Sequence, residues 1–216
     1  MSEHVGDQTG EQAAVPIRIL IADDETLFRD ALATLLDLRD DLHVVAQAAS
    51  GPEAVAMARA HRPDVALLDL QMPGQDGIET AIALAREAPE VACLIVTSHG
   101  RPGYLRRALE AGVRGFLPKT ASAQSLAQAV HAAHRGERYV DPQLAADAIA
   151  AGASPLSARE ADVLELAAQG AGIEEIARRA NLSNGTVRNY LSAATAKVGA
   201  GDRREAARIA RDNGWI

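Results

Sequence analysis

Short apolar runs alternate with amphipathic stretches between residues 17 and 136 of the chain. Apolar runs of this kind, separated by helix-length segments, are typical of parallel strands that are buried on both faces. The predicted strands are 17–22, 43–48, 65–69, 92–97 and 113–117, and the predicted helices are 26–37, 52–61, 77–87, 102–111 and 122–135. Five strand–helix units predict an α/β domain in which helices cover both faces of a doubly wound, five-stranded parallel sheet.

The pattern changes after residue 136. Tyr139-Val140-Asp141-Pro142 interrupts the alternation, and a short Ala-rich helix is predicted at 143–150. From Leu156 onward the periodicity is helical throughout, with helices predicted at about 157–170, 174–180, 184–197 and 202–212. Ser157 and Glu160 have the spacing of a capping box, and Ser183 is a suitable N-cap for the third of these helices. Two helices joined by a tight turn predict a helix-turn-helix.

The expected organisation is a disordered tail at 1–15, the α/β domain at 16–136, a linker at 137–154 and the helical domain at 155–216. The tail is polar and has no signal-peptide pattern, and no apolar run approaches the length of a membrane span. The sequence therefore predicts a cytoplasmic protein without a membrane partner.

The charge is unevenly distributed. The net charge is −7, but residues 173–216 hold eight Lys and Arg against five Asp and Glu. A modestly basic C-terminal segment on an acidic protein is consistent with local phosphate binding. Of the 22 basic residues only Lys119 and Lys197 are lysines, which indicates that these two positions need an ammonium rather than a guanidinium.

Polar side chains stand where the predicted strands end. Asp23 and Asp24 follow the first strand, Asp69 ends the third, Thr97 ends the fourth and Lys119 follows the fifth. Because ligands of such sheets bind beyond the carboxyl ends of the strands, we expect these side chains to share one pocket. Three carboxylates supply the hard oxygen ligands that Mg²⁺ prefers.

The predicted pocket has the parts needed for phosphoryl transfer. Beside a metal ion, one carboxylate can attack phosphorus and form an aspartyl-phosphate. Lys119 would neutralise phosphoryl charge, and the Thr97 hydroxyl would donate a hydrogen bond to a phosphoryl oxygen.

The same residues resemble the receiver domain of bacterial two-component response regulators, which has a flavodoxin-like fold. The likeness covers about 17–136. It is carried by Asp23-Asp24, by Leu67-Leu68-Asp69-Leu70-Gln71-Met72-Pro73-Gly74, by Thr97, and by Phe116 with Lys119.

The resemblance implies a role for each residue of the pocket. It implies that Asp69 is the phosphoacceptor for a sensor histidine kinase and that Lys119 contacts the phosphoryl group. It implies that Thr97 and Phe116 form a switch pair, in which Thr97 moves inward and Phe116 turns into the space vacated. The implied Mg²⁺ ligands are Asp24, Asp69, the Gln71 backbone carbonyl and, through water, Asp23.

The C-terminal segment is similar to the LuxR-type helix-turn-helix, which together with a receiver places the chain in the NarL/FixJ group. The likeness is carried by Leu156-Ser157-Ala158-Arg159-Glu160, by Leu182-Ser183-Asn184-Gly185-Thr186-Val187-Arg188-Asn189-Tyr190, and by Lys197-Val198-Gly199. Gly172 stands where this family usually has a Ser or Thr that starts the scaffold helix.

The helix-turn-helix makes double-stranded promoter DNA the expected partner. Arg188, Asn189 and Ser192 would face the major groove, where Arg commonly reads guanine and Asn reads adenine. Thr186 and Lys197 would contact the backbone. The excess of basic residues in 173–216 is too small for one copy to bind DNA unaided at physiological salt. Affinity rises steeply with the number of phosphates neutralised, so a dimer would bind more tightly. We expect this homodimer to form on phosphorylation. RNA polymerase is a further possible partner for a protein of this class.

The leading hypothesis is a phosphorylation-activated transcriptional regulator that is not an enzyme. An alternative is a phosphatase working through an aspartyl-phosphate, but such enzymes typically carry a carboxylate two residues after the nucleophile, where this chain has Gln71. A second alternative is a regulator that ignores phosphorylation. Loss of the acidic pair would favour it, whereas Asp23 and Asp24 are both present.

Overall fold

The computed structural model describes residues 15–98, 100, 102–150, 154–213 and 215–216. Apart from Val15, the predicted tail lies outside the described residues. No helix among those described is both long enough and apolar enough to cross a lipid bilayer.

The N-terminal domain is built on a parallel sheet. Its strands are β1 (Ile17–Ala22), β2 (Leu42–Ala48), β3 (Val65–Asp69), β4 (Ala92–Thr97), β5 (Gly115–Pro118) and β6 (Tyr139–Val140). They pair in the order β2-β1-β3-β4-β5-β6, and every pairing is parallel. The five predicted strands are present with bounds close to the predicted ones, and the doubly wound arrangement is confirmed.

Helices cover the sheet on both faces. They are α1 (Thr26–Asp37), α2 (Gly51–His61), α3 (Gly77–Glu87), α4 (Pro102–Glu110), α5 (Ala123–His134) and α6 (Pro142–Ala150). Leu36 and Val130, from α1 and α5, pack in one buried cluster, whereas Leu84 and Leu105, from α3 and α4, pack in the other. The sheet is therefore apolar on both sides, which is why its strands appear as continuous apolar runs.

The sheet has one strand more than the five predicted. Tyr139 pairs with Gly115 and Val140 with Phe116, so that β6 covers the edge of β5. An exposed strand edge leaves its N–H and C=O groups unpaired, and the returning chain satisfies them here. The α6 helix follows at once, and its Leu144 packs against the core of the domain. Part of the predicted linker 137–154 is thus attached to the α/β domain.

The C-terminal domain is entirely helical among the residues described. Its helices are α7 (Ala158–Ala168), α8 (Ile173–Arg179), α9 (Asn184–Lys197) and α10 (Arg203–Asp212). Val163, Ile176, Val187 and Leu191 contribute to a buried cluster of its own. The domain therefore has a hydrophobic core separate from those of the sheet.

The predicted caps are present. Ser157 and Glu160 form a capping box at the start of α7, and the Ser183 hydroxyl accepts a hydrogen bond from the Thr186 N–H at the start of α9. At α8 the N-cap is Gly172, which provides no side-chain hydrogen bond.

Gly77 at the start of α3 sets how closely this helix approaches the end of β3. Its N–H donates to the Leu70 carbonyl at 3.0 Å. A Cβ atom at Gly77 would overlap the backbone carbonyl of Asp69, and it would also press on Ile95. Only glycine allows α3 to lie this close to Asp69.

We expect Gly77→Ala to destabilise the protein by about 1–3 kcal/mol, because the overlapping atom is backbone and cannot rotate away. Urea unfolding followed by circular dichroism would measure the change. Gly172→Ala is the matched control, since no atom lies within 4 Å of a Cβ built there. A Gly77→Ala protein as stable as that control would contradict this account.

Candidate functional site

Three carboxylates meet at the carboxyl edge of the sheet. Asp23 and Asp24 follow β1, and Asp69 is the last residue of β3. One carboxylate oxygen from each lies within 4.8 Å of the others. Asp23 and Asp69 are buried, whereas Asp24 is exposed. The adjacent ends of parallel strands bring together residues that are 46 positions apart in the sequence.

Lys119, directly after β5, neutralises part of this negative charge. Its Nζ lies 2.8 Å from Asp23 Oδ2 and 3.3 Å from Asp69 Oδ2. It also lies 2.7 Å from Glu25 Oε1 and 4.6 Å from the centre of the Phe28 ring. Glu25 was not predicted from the sequence, although its place directly after the acidic pair was a signal that could have indicated it.

The electrostatics of the pocket follow from burial and from this ion cluster. Burial raises the pKa of Asp69 to about 6, and the charge of Asp23 adds to the shift, while Lys119 opposes it. For Lys119, burial acts against the ammonium, but hydrogen bonds to Asp23 and Glu25 outweigh it and hold the pKa above its usual range. Lys119 therefore stays charged, and Asp69 takes up a proton more readily than a solvent-exposed aspartate does.

The carboxylates fit a magnesium ion. The donors are all carboxylate oxygens, and Asp24 leaves one side open for the water ligands that Mg²⁺ retains. The backbone N–H of Gln71 favours the ionised form of Asp69 and so opposes the rise of its pKa. Asp24 and Gln71, two of the predicted ligands, also line one cavity.

Thr97 and Phe116 lie on neighbouring strands. Thr97 ends β4 with its side chain buried, and its carbonyl accepts a hydrogen bond from the Lys119 N–H at 2.8 Å. Phe116, on β5, pairs with Ile95 of β4 and is fully buried. The resemblance implies that the Phe116 ring turns inward on phosphorylation. In this structure the ring already lies inside the core.

The exposed face of α9 presents the residues predicted to read DNA bases. Arg188, Asn189 and Ser192 are all exposed, whereas Val187 and Leu191 face the core. This division is typical of a helix that presents polar side chains to a groove. Thr186 lies at the start of α9, with its hydroxyl 2.8 Å from the Ser183 hydroxyl.

Lys197 has a different setting from the other predicted DNA contacts. Its Nζ lies 2.7 Å from Glu160 Oε2, and Glu160 is buried under α9. The pair connects the end of α9 to the capping box of α7. The sequence did not indicate this contact, because the two residues are 37 positions apart.

Both halves of the chain match known protein families. Residues 19–131 match the response regulator receiver domain, and residues 154–210 match the bacterial regulatory proteins of the luxR family. The chain belongs to the response regulators with a receiver domain and a LuxR-type DNA-binding domain.

Curated relatives and solved structures cover almost the whole chain. The transcriptional regulatory protein DesR of Bacillus subtilis is 39% identical and spans 93% of this chain and 99% of its own. The response regulator RamR of Streptomyces coelicolor is 41% identical over 92% and 98%. The crystal structure of the response regulator ChrA aligns with a TM-score of 0.56 at 34% identity, covering 93% and 99%. The chain is therefore a transcriptional response regulator.

The solved structures include one bound to DNA. RcsB from Salmonella enterica serovar Typhimurium, bound to a promoter in the presence of phosphomimetic BeF₃⁻, aligns with a TM-score of 0.70. It covers 90% of this chain and 98% of its own, at 23% identity. At this identity the likeness concerns the fold.

The raised pKa of Asp69 makes a prediction about stability. Because the folded chain holds this proton more tightly than the unfolded chain, ionisation of Asp69 above about pH 6 costs folding free energy. Asp69→Asn removes that cost. We expect it to stabilise the protein by about 1–3 kcal/mol at pH 8 without divalent cations.

The gain should shrink as the pH falls from about 6 through the ordinary pKa of an aspartate, and it should vanish below about pH 3, where Asp69 is neutral in both states. Thermal unfolding across this pH range would measure it, with Asp30→Asn on the exposed side of α1 as control. An Asp69→Asn protein less stable than wild type at pH 8 would contradict the prediction.

Proposed function

We propose that Asp69 is the phosphoacceptor and that a sensor histidine kinase supplies the phosphoryl group. A carboxylate oxygen of Asp69 attacks phosphorus, a P–O bond forms, and the P–N bond to the donor imidazole breaks. The observation that supports this proposal is the packing of Asp69 and Lys119 at 3.3 Å in a buried pocket with Asp23 and Asp24.

Magnesium would be held by Asp24, Asp69 and the Gln71 carbonyl, with Asp23 bound through water. When bound, the ion neutralises carboxylate and phosphoryl charge during the transfer. The Lys119 ammonium lies 3.3 Å from Asp69, so it is close enough to contact a phosphoryl group on that residue. A phosphoryl group on Asp69 would draw the ammonium away from Asp23, and it would gain charge-assisted hydrogen bonds.

The same event provides a switch. The Thr97 hydroxyl donates to a phosphoryl oxygen, so that Thr97 moves towards Asp69. Phe116 keeps its buried position and fills the space beside the end of β4. A local charge change would thereby alter the surface formed by β4, α4 and β5.

The output is promoter binding by a dimer. We infer that phosphorylation promotes pairing of two chains, which places two α9 helices in successive major grooves. Arg188, Asn189 and Ser192 would contact base edges, and Thr186 the phosphate backbone. Lys197 is the weakest member of the predicted set, because Glu160 already holds its ammonium at 2.7 Å.

The protein acts as a regulator rather than an enzyme. Gln71 stands where an aspartyl-phosphate phosphatase would carry its acid, and an amide cannot supply that proton. We place the protein in the cytoplasm, where a kinase, promoter DNA and RNA polymerase would all be accessible to it.

Phosphorylation can be tested by intact mass spectrometry after incubation with acetyl phosphate and Mg²⁺. We expect the wild-type protein to gain the mass of one phosphoryl group and Asp69→Asn to gain none. Addition of EDTA should abolish the gain, because the carboxylates need the cation. A wild-type protein that stays unmodified, or an Asp69→Asn protein that is modified equally, would contradict the proposal.

DNA binding can be tested by gel shift on a fragment selected from a random pool by the phosphorylated protein. Arg188→Ala should weaken binding by about 5- to 150-fold, because a lost bidentate base contact costs about 1–3 kcal/mol. Arg86→Ala, which removes an equal charge from α3, is the matched control. Equal affinities of the two variants would contradict the assignment of Arg188, and binding that acetyl phosphate strengthens equally in Asp69→Asn would contradict the mechanism.

A further inference from the structure

Three carboxylates surround the Lys119 ammonium. Its Nζ lies 2.7 Å from Glu25 Oε1, 2.8 Å from Asp23 Oδ2 and 3.3 Å from Asp69 Oδ2. An ammonium has three N–H donors, so these contacts occupy all of them. Asp69, the proposed phosphoacceptor, is the most distant of the three partners. A phosphoryl group on Asp69 therefore gains a donor from Lys119 only when the shorter contacts, with Glu25 and Asp23, lengthen.

Glu25 differs from the other two carboxylates in its exposure. Its side chain is 64% exposed, whereas that of Asp23 is 3% exposed and that of Asp69 is 6% exposed. Water can replace the ammonium at an exposed carboxylate, but a buried carboxylate that loses its counter-charge is strongly destabilised. The contact with Glu25 is therefore the one that can break and form again with the smallest change in free energy.

Glu25 is the N-cap of α1, but its side chain does not cap the helix. At the starts of six other helices a Ser or Asp side chain accepts a hydrogen bond from a backbone N–H, namely α2, α3, α5, α7, α9 and α10. Glu25 makes no such hydrogen bond. Its carboxylate instead contacts Lys119, which is 94 positions away in the sequence.

The start of α1 holds the ammonium through a second residue as well. The ring of Phe28, three positions after Glu25, has its centre 4.6 Å from Lys119 Nζ. The Glu25 N–H donates to Asp23 Oδ1 at 2.9 Å, and the other oxygen of that carboxylate contacts Lys119. These contacts fix Glu25 and the ammonium relative to each other before any phosphoryl group is present.

We propose that Glu25 is a positioning residue that restrains Lys119 in the unphosphorylated chain and thereby slows phosphorylation of Asp69. The inference rests on the proposed role of Asp69. The ammonium leaves Glu25 as it moves to the incoming phosphoryl group, so loss of this contact adds to the barrier for phosphorylation.

Hydrolysis of the aspartyl-phosphate should not depend on Glu25. In the phosphorylated chain the ammonium already contacts phosphoryl oxygens, both before water attacks and in the transition state. An interaction that is absent from both states does not change the rate of the step between them. Glu25 therefore controls how fast the phosphoryl group is acquired but not how long it remains.

Two variants of Glu25 separate its contact from its charge. Glu25→Gln removes the charge. Glu25→Asp keeps the charge, but Asp is a strong N-cap residue, so we expect its shorter side chain to accept from the backbone N–H groups of α1 rather than from Lys119. Asp30→Asn, which removes one charge from the exposed side of the same helix, is the matched control.

The kinetic measurements are the initial rate of mass gain with acetyl phosphate and Mg²⁺, and the half-life of the phosphorylated chain after the donor is removed. We expect both Glu25 variants to be phosphorylated about 2- to 5-fold faster than wild type, the range that an ion pair with one exposed partner supports. Their half-lives should equal that of wild type. Asp30→Asn should match wild type in both measurements.

The position of the ammonium can be observed directly by nuclear magnetic resonance with isotopically labelled lysine. The chain has only two lysines, so Lys197→Arg assigns both side-chain signals. In the unphosphorylated protein the Lys119 signal should move in both Glu25 variants. With the phosphoryl analogue BeF₃⁻ and Mg²⁺ bound, it should coincide with the wild-type signal, because the ammonium has then left Glu25.

Several outcomes would overturn the inference. They are an unchanged phosphorylation rate in Glu25→Gln, a half-life that changes along with the rate, and a Lys119 signal that stays in place in the unphosphorylated variants. A Glu25→Asp protein that is phosphorylated only as fast as wild type would show that repulsion of the anionic donor, rather than the Lys119 contact, slows the reaction.

Glu25→Asp alone provides the comparison with wild type if Glu25→Gln does not fold, as judged by circular dichroism. Absence of mass gain in every chain, wild type included, would instead overturn the role of Asp69, and this inference with it.

Discussion

The structure depends on one electrostatic compromise at the carboxyl edge of the sheet. Parallel pairing of β1 and β3 forces Asp23 and Asp69 together in a place that excludes most water. The two buried carboxylates have oxygens within 4.8 Å of each other and therefore repel, and Lys119 reduces this repulsion by contacting both. The balance is incomplete, since the Asp69 pKa remains raised to about 6. A pocket with one ammonium among several carboxylates therefore keeps an excess of negative charge, which favours a cation.

Backbone contacts connect this ion cluster to the rest of the molecule. The Lys119 N–H donates to the Thr97 carbonyl, so the residue that carries the charge is held beside the residue with the hydroxyl. On the other side, Gly77 allows α3 to lie against Asp69, and the preceding residue, Asp76, caps this helix and lies 3.7 Å from the Arg107 guanidinium on α4. Contacts therefore lead outward from Asp69 in two directions, one along β4 and one along α3.

The helical domain has a different physical basis. It has its own buried cluster and its own caps, so the α/β domain is not needed to explain how it folds. Its polar residues Arg188, Asn189 and Ser192 on α9 are exposed, whereas Lys197 contacts the buried Glu160. The two lysines of the chain therefore share one physical role. Each places a compact ammonium against carboxylates that are largely removed from water.

Periodicity alone determined the first five strands, the helices between them and the capped helices of the second domain, because each depends on residues close together in the sequence. The strand-end positions of Asp23, Asp69 and Lys119 likewise followed from local pattern and the geometry of parallel sheets. The two-residue β6 could not be predicted from the sequence, because this strand is defined by its pairing with β5 rather than by an apolar pattern of its own. The Lys197–Glu160 pair was decided only by tertiary structure, because it joins residues 37 positions apart and no local pattern links one to the other.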